Sequence, residues 1–471
     1  MRCRGHRRAG EPAGENTMTD RLDGLDLAAA APFVDADAVR QMWAAQRDYD
    51  VNRWLLPLPP WAKRRYDDPG PRAWESLRRR LAADTSQRPF CIYLHVPFCS
   101  RKCGFCDSYS FKLGAQQAGR IEDYVNRLCD ELRLWSALGG LARRPVSTVH
   151  LGGGTPTFLG AAALRRIVAC CRDHFNAGPE TEWALESTVE ALTPGMVAAM
   201  HEMGFRRLHL GIQSLQDEVR AAIGRRRSAA EALAKIRETR ALGWVVSVDI
   251  ICGLPFQTLA GFMDGLAALI EAGVNGVSLY ELLIYRQNRH WAEQHGLTGR
   301  SHVPNYGMFL AGAFYLEGRG FHKNLFNHWA DTLDTNVYFT FPQRGEDLLA
   351  VGTTADGVFG DYHYRHPRYA AYMDAPPPGL EGGLPKTAAE KTLWPLMTAI
   401  LSGRLSAEKR GELENLAGES LLRRWMVNRL VVPTAGGLEL TPAGSWFAGN
   451  MLAELAEAPL KIQPGGSMIS T

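Results

Sequence analysis

No apolar run in this chain approaches the ~20 residues that a membrane-spanning helix requires. No like-charge surplus is present either: 471 residues carry a formal net charge of only +3, too little to coat a nucleic-acid-binding face. Residues 1–17 are Arg- and Gly-rich and lack the apolar segment of a secretory leader. Met18-Thr-Asp-Arg reads as a second start, so 1–17 is expected to be a misplaced start or a disordered tail. No internal repeat and no extended low-complexity tract occurs. Cysteine is sparse, with nine residues. Cys3, Cys91, Cys129, Cys170, Cys171 and Cys252 sit singly or paired without ligand spacing, where a reduced thiol is the default. That usage fits a reducing cytoplasm. What remains is an ordinary globular composition, 46% hydrophobic, long enough for a large core and more than one domain.

The other three cysteines fall in Tyr93-Leu-His-Val-Pro-Phe-Cys99-Ser-Arg-Lys-Cys103-Gly-Phe-Cys106, spaced C-x3-C-x2-C directly after a short apolar strand. Three thiolates can hold three irons of a [4Fe–4S] cube and leave the fourth without a protein ligand. A structural zinc site needs a fourth Cys or His nearby. His95 has the wrong spacing, and Asp107 and Ser108 are poor substitutes. The reading opposed to a cluster is three unrelated core or zinc cysteines.

Between 91 and about 285, β-rich runs alternate with helical spacing. Strands are expected at Cys91–Val96, Ser147–Leu151, Glu182–Glu186, Arg207–Gly211, Val245–Ile251 and Gly276–Tyr280. Helices are expected at Gly119–Leu138, Ala161–Phe175, Thr193–Met203, Ala229–Leu242 and Thr258–Ala272. Nearly continuous apolar strands joined by helices imply parallel pairing through right-handed crossovers. The fold class expected is therefore α/β, a partial (β/α)6 barrel over 91–290. An N-terminal extension, 18–90, begins with a helix from Asp35 to Tyr49. Its Leu56-Pro-Leu-Pro-Pro-Trp61 segment breaks any helix and wraps over the barrel, in a position to cover a cavity. Residues 291–385 are dense in aromatics, His and Asn and read as a barrel extension. Residues 386–471 read as a small helical, winged-helix-like domain with a flexible tail. Its Val431–Gly444 stretch forms two short strands around a Gly turn, and no Lys/Arg cluster marks a DNA-recognition helix.

Chemistry in a parallel barrel gathers at the C-terminal strand ends, and the polar motifs fall there. Gly152-Gly-Gly-Thr-Pro-Thr157 ends the second strand, where glycine lets backbone groups approach a ligand. Glu186 ends the third strand. Gln213 ends the fourth, with Arg225 beyond it as a planar donor fork for a carboxylate. From composition alone, Arg225, one of three consecutive arginines, reads as part of a solvated face. Asp249 lies in an apolar strand and needs donors, such as ligand hydroxyls. Cys252 reads as a buried thiol.

Together, YLHVPFC-x3-C-x2-C, GGGTPT, GIQS, DIICGLP and LAVGTTADGVFG resemble the HemN-like family of radical S-adenosylmethionine (SAM) enzymes, the oxygen-independent coproporphyrinogen III dehydrogenase group. The resemblance covers about 90–370, with a weaker echo to 455. It implies a [4Fe–4S] cluster on Cys99, Cys103 and Cys106, and two SAM molecules, the first chelating the open iron. Tyr93, Gly153, Thr155, Glu186, Gln213, Arg225 and Asp249 match first-SAM positions, and Phe105 and Ile251 match positions lining the second. One departure stands out: the coproporphyrinogen enzymes carry a further Cys where this chain has Ser108.

The segment after the barrel is similar to HemN-like methylases and cyclopropane-forming enzymes of secondary metabolism. Tyr280, His328, His363 and His366 are accordingly expected to form a substrate pocket for proton transfers. The opposed reading is a surface loop of satisfied polar residues. On this resemblance the enzyme transfers a one-carbon unit from a second SAM to an sp2 carbon of a small aromatic metabolite. Expected partners are that substrate, a reductant such as flavodoxin or ferredoxin, and a companion methyltransferase. No nucleic acid or membrane is expected, and the protein is expected to be monomeric. The alternatives are anaerobic tetrapyrrole chemistry, by porphyrinogen oxidation or haem breakdown, and a haem carrier without turnover.

Overall fold

Amphipathic helices alternating with short β-rich runs give six consecutive parallel strands: β1 (Phe90–Val96), β2 (Val146–Gly153), β3 (Glu182–Ser187), β4 (Arg207–Gln213), β5 (Val245–Cys252) and β6 (Gly276–Glu281). The computed structural model describes residues 25–114 and 118–458. The expectations for 1–17, for Met18, for Cys3 and for the tail beyond 458 lie outside the described residues. Side-chain caps set where several crossover helices start. The Thr193 hydroxyl accepts from Met196 N, Ser228 and Glu231 form a capping box, and Thr258 accepts from Gly261 N. Each such cap satisfies an otherwise orphaned N–H group at the helix start.

The strands are not uniformly apolar. Leu208, Leu210 and Ile212 of β4, and Val246, Val248 and Ile250 of β5, pack into the main core. The alternate positions Thr148, His150, Arg207, His209, Ser247 and Ser278 are polar and buried too. Side chains alternate between faces along a strand, so the second set lines the barrel interior, where each group meets a polar partner from a neighbouring element.

The sheet extends beyond the expected six strands. After helix Val303–Gly318 come β7 (His322–Leu325) and β8 (His328–Ala330), and β8 pairs antiparallel with β6. The chain then crosses back. β9 (Asp347–Val351) pairs parallel with β1, so the LAVGTTADGVFG motif supplies a seventh parallel strand that spacing did not indicate. β10 (Asp356–Phe359), β11 (Tyr362–Arg365) and β12 (Gly382–Pro385) continue antiparallel from it, in a sheet of 13 strands counting the short Asp68–Pro69. The 291–385 segment is thus built into the barrel sheet.

The N-terminal extension starts as expected, with Asp35 Oδ1 accepting from Asp37 N at 2.9 Å. Its helix spans Ala36–Ala45, short of Tyr49, and Gln46 is then held by Tyr306 instead of continuing the helix. Trp61 lies 4.6 Å from Trp394, fastening the extension to the C-terminal domain. That domain contains helices Ala388–Leu401, Ala407–Ala417 and Glu419–Val427. The hairpin Val431–Thr434/Gly437–Leu440 is joined by Arg404–Ser406 in a three-stranded sheet. Among the described residues no helix is long and apolar enough to cross a membrane.

Arg144 closes the seam where β9 meets β1. Its buried guanidinium reaches Asp347 at 2.7 Å, Asp84 at 3.2 Å and the Arg88 carbonyl at 2.8 Å. Arg144→Met should destabilise the fold by about 3–5 kcal/mol, because it strands the buried Asp347 carboxylate. Urea denaturation should then show a lower midpoint, and an unchanged midpoint would remove the seam from this account.

Candidate active site

The cysteine loop leaves β1 at Val96 and folds over the barrel mouth. Phe98–Cys99 pairs with Phe111–Lys112, and Leu113 N donates to Cys99 O at 3.1 Å. Lys102 Nζ ties the loop together, reaching Ser108 O at 2.6 Å, Ser110 Oγ at 3.1 Å and Cys106 Sγ at 3.6 Å. Ser108 Oγ donates to Gly153 O at 2.8 Å, so the departure from the family pattern joins the cysteine loop to the glycine loop. His95 is no ligand candidate: its nitrogens lie 3.1 Å from Tyr93 Oη and 3.1 Å from Tyr109 O.

Cys99, Cys103 and Cys106 border one cavity of about 340 Å³, together with Phe105, Gly153, Thr155, Glu186, Gln213, Arg225 and Asp249. All three thiols are free. Burial pushes the pKa values of Cys99 and Cys103 up. Thr155 Oγ1 donates to Cys99 Sγ at 3.6 Å. Among the described residues no three His, Cys, Asp or Glu side chains are grouped to hold a single metal ion.

The wall opposite the cysteines comes from the strand ends. Glu186 accepts from Gly153 N at 3.1 Å, and its Oε1 lies 3.3 Å from His150 Nε2. Burial works against ionisation of Glu186, but His150 and the Gly153 N–H more than offset it and hold its carboxyl below the usual range. Gln213 sits on a bulge in β4 with φ of 68°, a left-handed conformation for a non-glycine residue. Such strain persists where surrounding structure enforces it, often at functional sites. A Cβ on Gly211 would lie 2.8 Å from Gln213 Nε2 and 3.1 Å from Arg225 Nη2, so a larger residue there would displace the ends of both side chains. Arg225 is not on a solvated face. Its side chain is 7% exposed, 3.8 Å from Glu190, and its guanidinium lies over the Phe105 ring.

Asp249 Oδ1 lies 2.6 Å from His209 Nε2. Burial pulls the His209 pKa down, but the adjacent carboxylate more than compensates, so His209 titrates above its ordinary value. His150, by contrast, is held below that value by burial. The sequence reading passed over both histidines. The available signal was polar residues at period two, Thr148–His150 and Arg207–His209, within otherwise apolar strands.

Two expected positions, Tyr93 and Ile251, do not line the cavity. Ile251 belongs to a small apolar cluster with Leu254 and Leu282, against which Phe105 packs. The Tyr93 ring stacks on Tyr338 at 4.9 Å, and Tyr338 stacks on His150 at 4.4 Å. The Tyr93 side chain therefore packs in the barrel interior and does not border the cavity.

The four residues expected to form a substrate pocket are dispersed. His328 is buried in the barrel, bonded to Ser278 Oγ at 2.7 Å and Asp334 Oδ2 at 2.8 Å, and Asp334 is also paired with Arg207. His363 lies on β11 against Asp356, at 3.4 Å. His366 is fully buried elsewhere, 2.7 Å from Glu131 Oε1, and Tyr372 Oη donates to the same carboxylate at 2.6 Å. Only Tyr280, 39% exposed, occupies the mouth end of a barrel strand. Positions 363 and 366 are three apart, so an extended backbone directs them to opposite faces.

The cavity fits a cluster with a chelating, nucleoside-bearing ligand. Gln213 Oε1, Arg225 Nε, His209 Nδ1 and Glu190 Oε2 are buried without hydrogen-bond partners around it, and buried polar atoms ordinarily have partners. A Cβ on Gly154 would stand 3.1 Å from Cys99 Sγ, so the glycine loop lies directly against the thiols. The His209–Asp249 pair also carries a stability prediction. With the folded pKa raised, the contribution of His209 is complete below about pH 6.5, the ordinary His value, and is lost as pH rises through the folded value. Wild-type urea midpoints should therefore fall across this window, and His209→Gln should flatten that slope. A parallel slope in the variant would contradict the pairing.

The Radical SAM superfamily model matches residues 93–269. The chain is 26% identical over 409 residues to anaerobilin synthase of Escherichia coli O157:H7, covering 82% of this chain and 87% of that protein. It is 36% identical over 199 residues to the heme chaperone HemW of Mycobacterium tuberculosis, covering 42% of this chain and half of the chaperone. The solved structure of E. coli coproporphyrinogen III oxidase (HemN) superposes with a TM-score of 0.72 at 21% identity, over 86% of this chain and all of that one. The chain thus shares the fold of the HemN structure and is similar in sequence to HemN-like radical SAM proteins, and the Radical SAM match over the cysteine loop goes with a [4Fe–4S] cluster and SAM as its cofactors.

Proposed function

We propose that the protein is a radical SAM enzyme acting on a tetrapyrrole. The observation that carries this reading is the similarity to anaerobilin synthase over 82% of the chain. The comparisons therefore favour tetrapyrrole chemistry, an alternative in the sequence analysis, over its main expectation of one-carbon transfer to an aromatic natural product. The dispersal of His328, His363 and His366 also removes the pocket on which that expectation leaned. Ser108, engaged with Gly153 O, stands where the coproporphyrinogen enzymes resembled above have Cys. This directs the proposal toward haem-type substrates over coproporphyrinogen.

In this reading Cys99, Cys103 and Cys106 hold the cluster, which when reduced supplies the electron that cleaves SAM. The protein contributes orientation and exclusion of water. Glu186, fixed by His150 and Gly153 N, presents a carboxylate to the SAM amino group. Arg225, already buried beside Glu190, meets the SAM carboxylate as a charge-assisted donor. Gln213 and Asp249 would bond the ribose hydroxyls, with His209 fixing which Asp249 oxygen stays free. Phe105 and Ile251 offer apolar surface to a second SAM. A flavodoxin- or ferredoxin-type protein supplies the electron.

The similarity to a heme chaperone favours a second reading, a carrier that binds haem without turnover. One experiment separates the two. Anaerobic, reconstituted, reduced protein is given methyl-labelled SAM with haem, with coproporphyrinogen III or with neither. 5′-Deoxyadenosine release stimulated by haem, together with haem consumption, is the expected result. Tight haem binding with unstimulated release would establish the carrier. Indifference to both tetrapyrroles would overturn the proposal.

A further inference from the structure

A second cavity, of about 1100 Å³, opens beyond β5 and β6 and is covered by the N-terminal extension. Trp54, Leu55, Leu56, Leu254, Ile284 and Met308 give it apolar walls. Leu55 and Leu56 are each 44% exposed, an arrangement of adjacent leucines that marks a binding surface better than a solvated one. Trp54 to Leu56 thus face the loops after β5 and β6 across this cavity. The charged lining is unbalanced: Arg289, Arg300 and His302 against Asp26 alone. Neither arginine has an ion-pair partner among the described residues.

His302 is unusual within that lining. Its Nδ1 is bonded to Glu281, a carboxylate with a 1% exposed side chain. Asn305 Nδ2 donates to the same oxygen at 3.1 Å, and the other, Oε2, is buried without a partner. The His302 backbone N–H donates to Asn52 Oδ1 at 3.0 Å, which fixes the residue to the extension. His302 Nε2 has no hydrogen-bond partner among the described residues, and His302 lines the cavity. An imidazole that gives one N–H to a carboxylate and keeps the other nitrogen open is the arrangement of a metal-ligating histidine with its supporting carboxylate. Glu281 also raises the basicity of the ring, chiefly through that hydrogen bond.

We propose that this cavity binds an iron tetrapyrrole, with His302 Nε2 as axial ligand and Arg289 and Arg300 pairing with its carboxylates. The inference rests on the tetrapyrrole reading above and gives the tetrapyrrole a binding site beside the cofactor cavity. Leu254 and Leu282 line the cavity and belong to the apolar cluster against which Phe105 packs, while Phe105 borders the cofactor cavity. One layer of side chains therefore separates the two spaces. The apolar walls suit a flat macrocycle, Trp54 and Tyr285 offer ring faces, and the two unpaired guanidinium groups suit bidentate carboxylate contacts.

The test is titration of the reconstituted holoprotein with haemin and, in parallel, with metal-free protoporphyrin IX. Resonance Raman of the ferrous haem complex reads the Fe–His stretch. Wild type should show that stretch. His302→Ala and His302→Gln should lose it and bind haemin about tenfold more weakly, with protoporphyrin affinity nearly unchanged. The Arg289→Ala/Arg300→Ala double variant should weaken both ligands by about tenfold. Glu281→Gln should keep the stretch at lower frequency, because a neutral amide supports the imidazole less. Wild-type affinity and an intact Fe–His stretch in both His302 variants would overturn the site. If haem were still consumed by those variants, the tetrapyrrole reading would survive that failure. Wild type that neither binds nor consumes either tetrapyrrole would sink both.

Discussion

Histidine–carboxylate pairing inside the barrel is the constraint on which the rest of the structure depends. The inward faces of β2 to β6 carry His150, Glu186, Arg207, His209, Asp249 and Ser278, all within or beneath a lumen closed by Tyr338 and Phe339. An isolated charge in such a space is prohibitively costly, and one with a bonded partner is tolerated. The structure meets this with three pairs: His150–Glu186, His209–Asp249 and His328–Asp334, the last shared with Arg207. Burial favours the neutral form of Asp334, but Arg207 and His328 overcome it and hold its carboxyl well below the usual range. The pairs nearest the mouth expose Glu186 and Asp249 to the cofactor cavity, while the His328–Asp334 pair stays wholly buried.

This arrangement accounts for the construction of the mouth. Gly153 and Gly211 leave room beside His95 and beside Gln213 and Arg225, and Gln213 accepts a left-handed backbone to present its amide. The cysteine loop is held from within by Lys102 and Ser108, and from the barrel extension by Tyr369, whose backbone N–H donates to Tyr109 Oη at 3.0 Å. The unpartnered atoms on Gln213, Arg225, His209 and Glu190 all border that one cavity.

The parts legible in the sequence were those set by local spacing. The cysteine triplet, the glycine turn and the alternation of six strands with helices each depend on a few consecutive residues. Asp249 was legible because an acid in an apolar strand needs a reason. The role of Arg225 was obscured by its neighbours, since Arg226 and Arg227 give the segment the look of a solvated run. Asp347–Val351 was missed because nothing local shows that an apolar run returns to pair with a strand some 250 positions earlier. The histidines after the barrel misled for the same reason. Each has a carboxylate partner distant in sequence or hidden by a turn: Glu131 for His366, Asp356 for His363 and Asp334 for His328.

The most direct test of the central claim is electron–nuclear double resonance on the reduced cluster with SAM labelled in its amino nitrogen and carboxylate oxygen. The account predicts couplings from both labels to one iron of a cluster held by Cys99, Cys103 and Cys106. It also predicts that Asp249→Ala diminishes SAM occupancy while the cluster signal persists. A reduced cluster whose spectrum carries no coupling from either label at saturating SAM would contradict an open iron, and with it the reading of this barrel as a SAM-cleaving site.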